Sequence, residues 1–309
     1  MSRKKKKVRS PKVEPVFLFV ALLLAVVAIY FFLISKKNTS NKIQDGISEL
    51  TGSAKATTTK TNDLDVSKLD LLGRAKVSFV GGTEGRKKNI EIGLAKINNT
   101  IVESGKEFSF KDVLGTTTPE MGYSRERVFL NGEVKKEIGG GICQVSTTLF
   151  RSVLDSGLPV TQRTNHSFTV SYYDVGLDAT YSDPGPDFKF LNDTKNPIVI
   201  KGKVEDSSAV FEIFGVKDGR VASTTEAEIT KLVDILPTKY IYVEKLEEDQ
   251  VKCINNPQIG YTATVKYGVQ YPNGEYKEKD FVSRYRPLQR VCYIVGEEIK
   301  DFDINKILR

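Results

Sequence analysis

Gly139-Gly140-Gly141-Ile142-Cys143-Gln144-Val145-Ser146-Thr147-Thr148-Leu149-Phe150 is the stretch on which the reading of this chain turns. Three glycines lack Cβ atoms, so the backbone there can bend sharply and leave room for a ligand beside Gly139, Gly140 and Gly141. The next residues have helical spacing: Val145, Leu149 and Val153 recur at i, i+4 and i+8, Phe150 and Leu154 widen the stripe, and Gly157 supplies a C-cap. Cys143 then falls in the first helical turn, where the positive end of the helix dipole favours a thiolate.

Outward from this helix the pattern is mixed. Upstream, Ala75–Val80 reads as a strand, and Arg86–Val102 carries Ile90, Leu94, Ile97 and Ile101 at helical spacing up to Gly105. Asn131-Gly132, between Val128-Phe129-Leu130 and Val134, signals a hairpin. Downstream, Pro159–Thr164, Phe168–Tyr173, Asp178–Tyr181, Phe188–Leu191, Ile198–Val204 and Val210–Phe214 read as strands. Helices early and strands later predict an α+β domain with an antiparallel sheet and a few helices over residues 69–216. The polar stretch 217–231 reads as a linker, 232–300 as a small all-β module, and 301–309 as a tail. A small exported module gains from a staple, and Cys253 and Cys292, near its two ends, can form a disulfide.

The other end of the chain predicts a location. The net charge of +7 first suggests nucleic acid, but residues 1–15 hold seven basic residues against Glu14. That block carries +6 and leaves +1 for the rest, so no nucleic-acid partner is expected and the block is a cytoplasmic basic tail. Residues 16–34 (VFLFVALLLAVVAIYFFLI) are uninterruptedly apolar and long enough to span a bilayer. A cleaved signal peptide competes with this reading. No small-x-small site follows, and Lys36 and Lys37 come directly after, so an uncleaved single-pass anchor is expected, N-terminus in the cytoplasm and the rest outside. Residues 35–68 lack core-forming composition and read as a flexible stalk.

Outside the cell an odd cysteine matters. If Cys253 and Cys292 are bonded, Cys143 of the three cysteines remains as a free thiol. His166 is the chain's single histidine, and Asp178 follows it. In that order Cys143 is a candidate nucleophile, His166 its base, and Asp178 the group that fixes the imidazole. Gln144 and the Cys143 N–H are candidate oxyanion donors. The plain readings stand beside these: a small core cysteine, a satisfied histidine, a turn aspartate. One histidine and no Cys-x-x-Cys leave no metal site, and no Lys-Ser/Thr follows the glycines, so no phosphate loop; no cofactor is expected.

With these motifs named, residues from about Leu71 to Phe214 resemble the VanW family, named from a protein encoded with vancomycin B-type resistance. The resemblance rests on Arg86-x-x-Asn89-Ile90, Phe108-Ser109-Phe110, Gly115, Gly122-Tyr123, the glycine–cysteine stretch through Leu149, Arg163-x-x-His166-Ser167, Asp178-Ala179-Thr180 and Asp187-x-x-Phe190-x-Asn192. It implies a cell-envelope protein and peptidoglycan or its precursors as partner, with Arg163 beside the candidate site as a binding residue. The C-terminal module resembles glycine-marked β modules of extracellular wall proteins. The order Cys143, His166, Asp178 is similar to papain-like and transglutaminase-like enzymes. Two functions follow: a cysteine-dependent acyl-transfer or amide-hydrolysing enzyme acting on peptidoglycan peptides, or a non-catalytic wall-binding or scaffold protein with a ligand groove around Cys143 and His166.

Overall fold

The computed structural model describes residues 65–130, 133–170, 172–245 and 251–296. The expected basic tail, membrane span and C-terminal tail, and the stalk up to residue 64, lie outside the described residues, as do the hairpin's two turn residues, 131 and 132. Among the described residues no helix is long and apolar enough to cross a membrane.

The chain runs through β1 (Asp70–Ser78), α1 (Glu84–Ile97), β2 (Thr100–Val102), β3 (Glu107–Ser109), α2 (Phe110–Leu114), β4 (Arg125–Leu130), β5 (Glu133–Ile138), α3 (Ile142–Asp155), β6 (Val160–Gln162), β7 (Lys189–Leu191), β8 (Ile198–Glu205) and β9 (Ser208–Gly215). There follow β10 (Val221–Thr224), β11 (Glu228–Val233), β12 (Lys239–Val243), β13 (Val251–Ile254), β14 (Gly260–Gln270), β15 (Tyr276–Tyr285) and β16 (Val291–Val295). The described residues are thus rich in sheet with three helices, and the pairing is antiparallel except where β12 runs parallel to β16.

The first sheet has the order β1-β9-β8-β2, and α1 and α3 pack against it. The α3 helix is the centre of the core. Val145, Leu149, Phe150 and Val153 are fully buried, and so are its polar residues Ser146, Thr147, Thr148 and Ser152, so structure surrounds it on nearly every side. It ends in a Schellman turn. Gly157, at φ +70, sends its N–H to Leu154 O at 3.1 Å, and Leu158 N–H reaches Val153 O at 3.2 Å, satisfying the last carbonyls.

Several expectations are corrected. The helix read as continuing to Val102 stops at Ile97, where Asn98 is the C-cap. Asn99 takes φ +64, a conformation asparagine tolerates, and Thr100 Oγ1 donates to Ile97 O at 2.7 Å. Ile101 therefore lies on β2, paired with Val199.

Phe168–Tyr173 and Asp178–Tyr181 form no strands among the described residues. The second of these segments is held by α3 instead of by a neighbouring strand. Ser146 Oγ and Thr147 Oγ1 donate to Ala179 O at 2.6 and 3.1 Å, while Thr147 Oγ1 accepts from Ala179 N at 3.0 Å. Side chains of a helix satisfy the backbone there, so no ladder is needed.

The stretch 217–231 read as a linker holds β10 and the start of β11, both paired to β14. Its polarity reflects exposure on the outer strands rather than absence of structure. On the other side of β14 runs β15, paired along ten register positions. Ala263, Val265, Tyr267, Val269, Phe281 and Tyr285 alternate inward and are buried. Tyr267, Val269 and Phe281 join the cluster that contains Phe150, Leu158 and Phe188, so the C-terminal strands and the α3 region share one core. Cys253 and Cys292 face each other across β13 and β16 and form a disulfide.

Candidate functional site

The glycine turn sets the position of the thiol. Gly141 is the N-cap of α3 at φ +114, a backbone state that L side chains rarely adopt. Gly140 is needed for closeness: a Cβ there would lie 2.7 Å from Glu126 Cβ. Asn89 of α1, fully buried, secures the turn. Its Nδ2 donates to Ser124 O and Gly140 O at 3.0 Å each, and its Oδ1 accepts from Ser124 N at 2.7 Å. Cys143 is thereby placed as the second residue of α3, half-buried and unbonded to another cysteine.

The thiol donates to Tyr181 O at 3.3 Å and lies 3.5 Å from Thr180 Oγ1. His166 and Asp178 come to it from a loop rather than from two strands. His166 Nδ1 is 2.6 Å from Asp178 Oδ2, and the His166 backbone N–H donates to the same oxygen at 2.6 Å. An ionised carboxylate only accepts, so Nδ1 carries the proton and neutral His166 presents Nε2 as its basic atom. Nε2 is shielded from solvent and has no hydrogen-bond partner among the described residues. The imidazole and the thiol nevertheless lie close enough to stabilise each other's charged forms.

These neighbours shift the titrations. Burial raises the Cys143 pKa, but the His166 ring, with smaller help from Thr180 and Tyr181, brings it from 9.0 to about 7. Burial pulls His166 down, while Asp178 and Cys143 carry it from 6.5 up to about 9. Asp178 is held below its ordinary value: burial works against the charge, and His166 and Arg163 outweigh it. A thiolate beside an imidazolium is the form an acyl-transfer nucleophile requires.

Two expected binding residues have other work. The Gln144 side chain is buried and engaged, with Nε2 donating to Ser78 O at 2.7 Å and Oε1 accepting from Arg86 at 3.1 Å. It ties α3 to β1 and α1. The Arg163 side chain is 4% exposed. It donates to Gly176 O and to Asp178 Oδ1, both at 3.0 Å, and also to the Asp178 carbonyl. Arg163 thereby helps to hold Asp178 in place. Among the described residues no group of three or more His, Cys, Asp or Glu could hold a metal.

Residues 85–214 match the family model described as VanW like protein. The chain carries a VanW-family domain. It is 38% identical over 143 residues to the uncharacterized protein YoaR of Bacillus subtilis (strain 168), covering 46% of this chain and 47% of that one. It is 28% identical over 139 residues to the vancomycin B-type resistance protein VanW of Enterococcus faecalis (strain ATCC 700802 / V583), covering 43% and 50%. The chain thus matches about half the length of these curated relatives.

The VanW domain does not build the site by itself. Beyond residue 214, Tyr285 Oη donates to Asp178 Oδ1 at 2.6 Å and accepts from Gly176 N at 3.0 Å, and Arg163 Nη1 donates to Ser283 Oγ at 2.9 Å. Sequence reasoning missed both residues. The available signal was a serine and a tyrosine at inward positions of a strand, where a polar side chain requires a buried partner. Tyr173 was missed as well: its ring stacks on His166 with centroids 5.9 Å apart, and its hydroxyl donates to Cys143 O at 3.4 Å.

Proposed function

We propose that this protein is a cell-envelope enzyme in which Cys143 attacks an amide carbonyl of a peptidoglycan peptide, with His166 moving the protons and Asp178 orienting His166. The observation that carries the reading is the 2.6 Å contact of His166 Nδ1 with Asp178 Oδ2 beside a helix-terminal thiol whose pKa lies at about 7. The order of thiol, imidazole and carboxylate along the chain is also that of papain-like and transglutaminase-like enzymes.

The thiolate sulfur forms a C–S bond to the carbonyl carbon, and the C–N bond breaks as the His166 imidazolium gives its proton to the leaving amine. Neutral His166 then takes a proton from water, whose oxygen forms the new C–O bond as the C–S bond breaks. The sum is amide plus water giving acid plus amine; an amine in place of water gives transfer. The envelope setting is supported by the relative named for vancomycin resistance and by the Cys253–Cys292 disulfide, which suits an oxidising compartment. The apolar run 16–34, as an anchor, would leave the VanW domain outside the membrane.

The thiol's hydrogen bond to Tyr181 O and the solvent-shielded Nε2 favour the second reading, a non-catalytic wall-binding groove. Incubation of the full chain in mild detergent with peptidoglycan fragments, followed by mass spectrometry, decides between them. New termini made by the wild type and absent with Cys143→Ala and His166→Ala are expected. Identical products from all three proteins leave the groove alone.

A further inference from the structure

We infer that Arg86 is the carboxylate-recognition residue of this site, so that the peptide it takes carries a free carboxylate close to the bond that is cut. The naming of a substrate rests on the acyl-transfer reading; the recognition of a carboxylate does not.

Five arginines among the described residues are at least partly buried: Arg74, Arg86, Arg151, Arg163 and Arg220. Four of them pair with carboxylates: Arg74 with Glu205 and Glu212, Arg151 with Asp174, Arg163 with Asp178, and Arg220 with Asp193 and Asp218. Arg86 alone has no acidic partner among the described residues. Taking a guanidinium part-way out of water without an anion is costly, and the four paired examples show how this fold otherwise meets that cost.

Arg86 also lies at the candidate site. Its side chain crosses the glycine turn, where a Cβ on Gly141 would sit 3.2 Å from Arg86 Cγ. Nη2 is held by Gln144 Oε1 at 3.1 Å, on the residue that follows Cys143. The guanidinium stands 5.6 Å from the centroid of the Tyr172 ring. Tyr172 packs on Tyr173 at 4.0 Å, and Tyr173 stacks on His166 and reaches Cys143 O. Arg86, Tyr172, Tyr173 and His166 therefore form a row that ends at the thiol. Gln144 Oε1 and the Tyr172 side chain, which meets Arg86 through both its ring and a hydrogen bond, fix the orientation of the guanidinium, and its remaining N–H groups suit the two oxygens of a carboxylate.

The test needs no known substrate. With Cys253 and Cys292 bonded, alkylation of the native full chain in mild detergent reports Cys143. Rates are measured at neutral pH with anionic iodoacetate and neutral iodoacetamide. In Arg86→Gln the iodoacetate rate is expected to fall on the order of fivefold relative to iodoacetamide, and Arg86→Lys is expected to keep most of the preference. An unchanged ratio in Arg86→Gln overturns the inference. His166→Ala instead changes the rate with both reagents, so a failure of the acyl-transfer reading shows separately.

A second arm uses the wild type alone and so does not depend on any variant folding. Protection of Cys143 from iodoacetamide is compared for an N-acylated alanyl-alanine with a free C-terminus, its C-terminal amide, and an amide bearing an acidic side chain. Protection by either carboxylate-bearing peptide above the neutral amide supports recognition and shows which carboxylate is read. Equal protection by all three, or none by any, overturns it.

Discussion

Tyr285 Oη donates to Asp178 Oδ1 at 2.6 Å across 107 residues of sequence. Together with Arg163 Nη2 on the same oxygen, and His166 N and Nδ1 on Oδ2, it completes the acceptor capacity of a buried carboxylate. Tyr285→Phe is therefore expected to cost about 1–2 kcal/mol of stability, read by urea unfolding. A chain ended at residue 216 exposes Phe150, Leu158 and Asp178 and is expected to lose cooperative unfolding; a sharp transition in that shortened chain would contradict the shared core.

The pH dependence follows from the opposite shifts of thiol and ring. Thiolate forms above about 7 and imidazolium persists below about 9, so amide cleavage is expected to be bell-shaped between those values. Alkylation of Cys143 should rise through about 7, and His166→Ala should move that midpoint back towards 9. For stability, His166, raised on folding, stabilises fully below 6.5 and loses its contribution as pH climbs through about 9. Cys143 and Asp178 are both lowered. The Cys143 contribution is present above 9.0 and is lost as pH falls through about 7, while that of Asp178 is present above 3.8 and is lost in acid. Stability of wild type and His166→Ala measured against pH checks the sign.

Arg163 joins Asp178 to Gly176, Ser283 and the rings of Phe150 and Phe281. Arg163→Met leaves Asp178 buried without that cation, a loss expected at about 3–5 kcal/mol. Arg163→Lys keeps the charge but not the fork, so it should recover only part of the loss. Thermal unfolding of the two variants side by side tests this; a fully stable Arg163→Met would show that the pair is dispensable.

Gly140→Ala forces a methyl against Glu126 Cβ, and Gly141→Ala strains the N-cap. Both are expected to slow alkylation of Cys143 as the first turn of α3 shifts, with a stability loss of about 1–3 kcal/mol. Reduction of Cys253–Cys292 should instead lower stability by about 2–4 kcal/mol and leave the alkylation rate of Cys143 unchanged. Alkylation of the Cys143 peptide, followed by mass spectrometry before and after mild reduction with the reductant removed, separates the two cases.

The readable parts of this chain are those whose signals are local. The α3 stripe and the Gly157 stop lie within a few residues of each other, and the pairing of β4 with β5 on either side of residues 131 and 132 follows from a two-residue turn signal. The misread parts are those where a side chain replaces a ladder. Phe168, Tyr172 and Tyr173 have the composition of a strand, but their rings lie against Arg286, Arg86 and His166 instead of along a ladder. Gln144 directly follows Cys143 and Arg163 lies three residues before His166, but nothing local indicates that their polar atoms are already engaged.

The sequence by itself determined that a helix begins at the glycine turn, that its first turn holds a thiol, that one histidine and one nearby aspartate are available to it, and that two cysteines lie where they can bond. Only the tertiary structure decided that Asp178 accepts four hydrogen bonds, that Arg163 is one of their donors, and that β15 supplies another from beyond the VanW domain. The reason is physical. Helix caps and turns are fixed by groups a few residues apart, whereas a buried carboxylate is satisfied by whichever donors the packed core brings to it, and those carry no mark in the chain nearby.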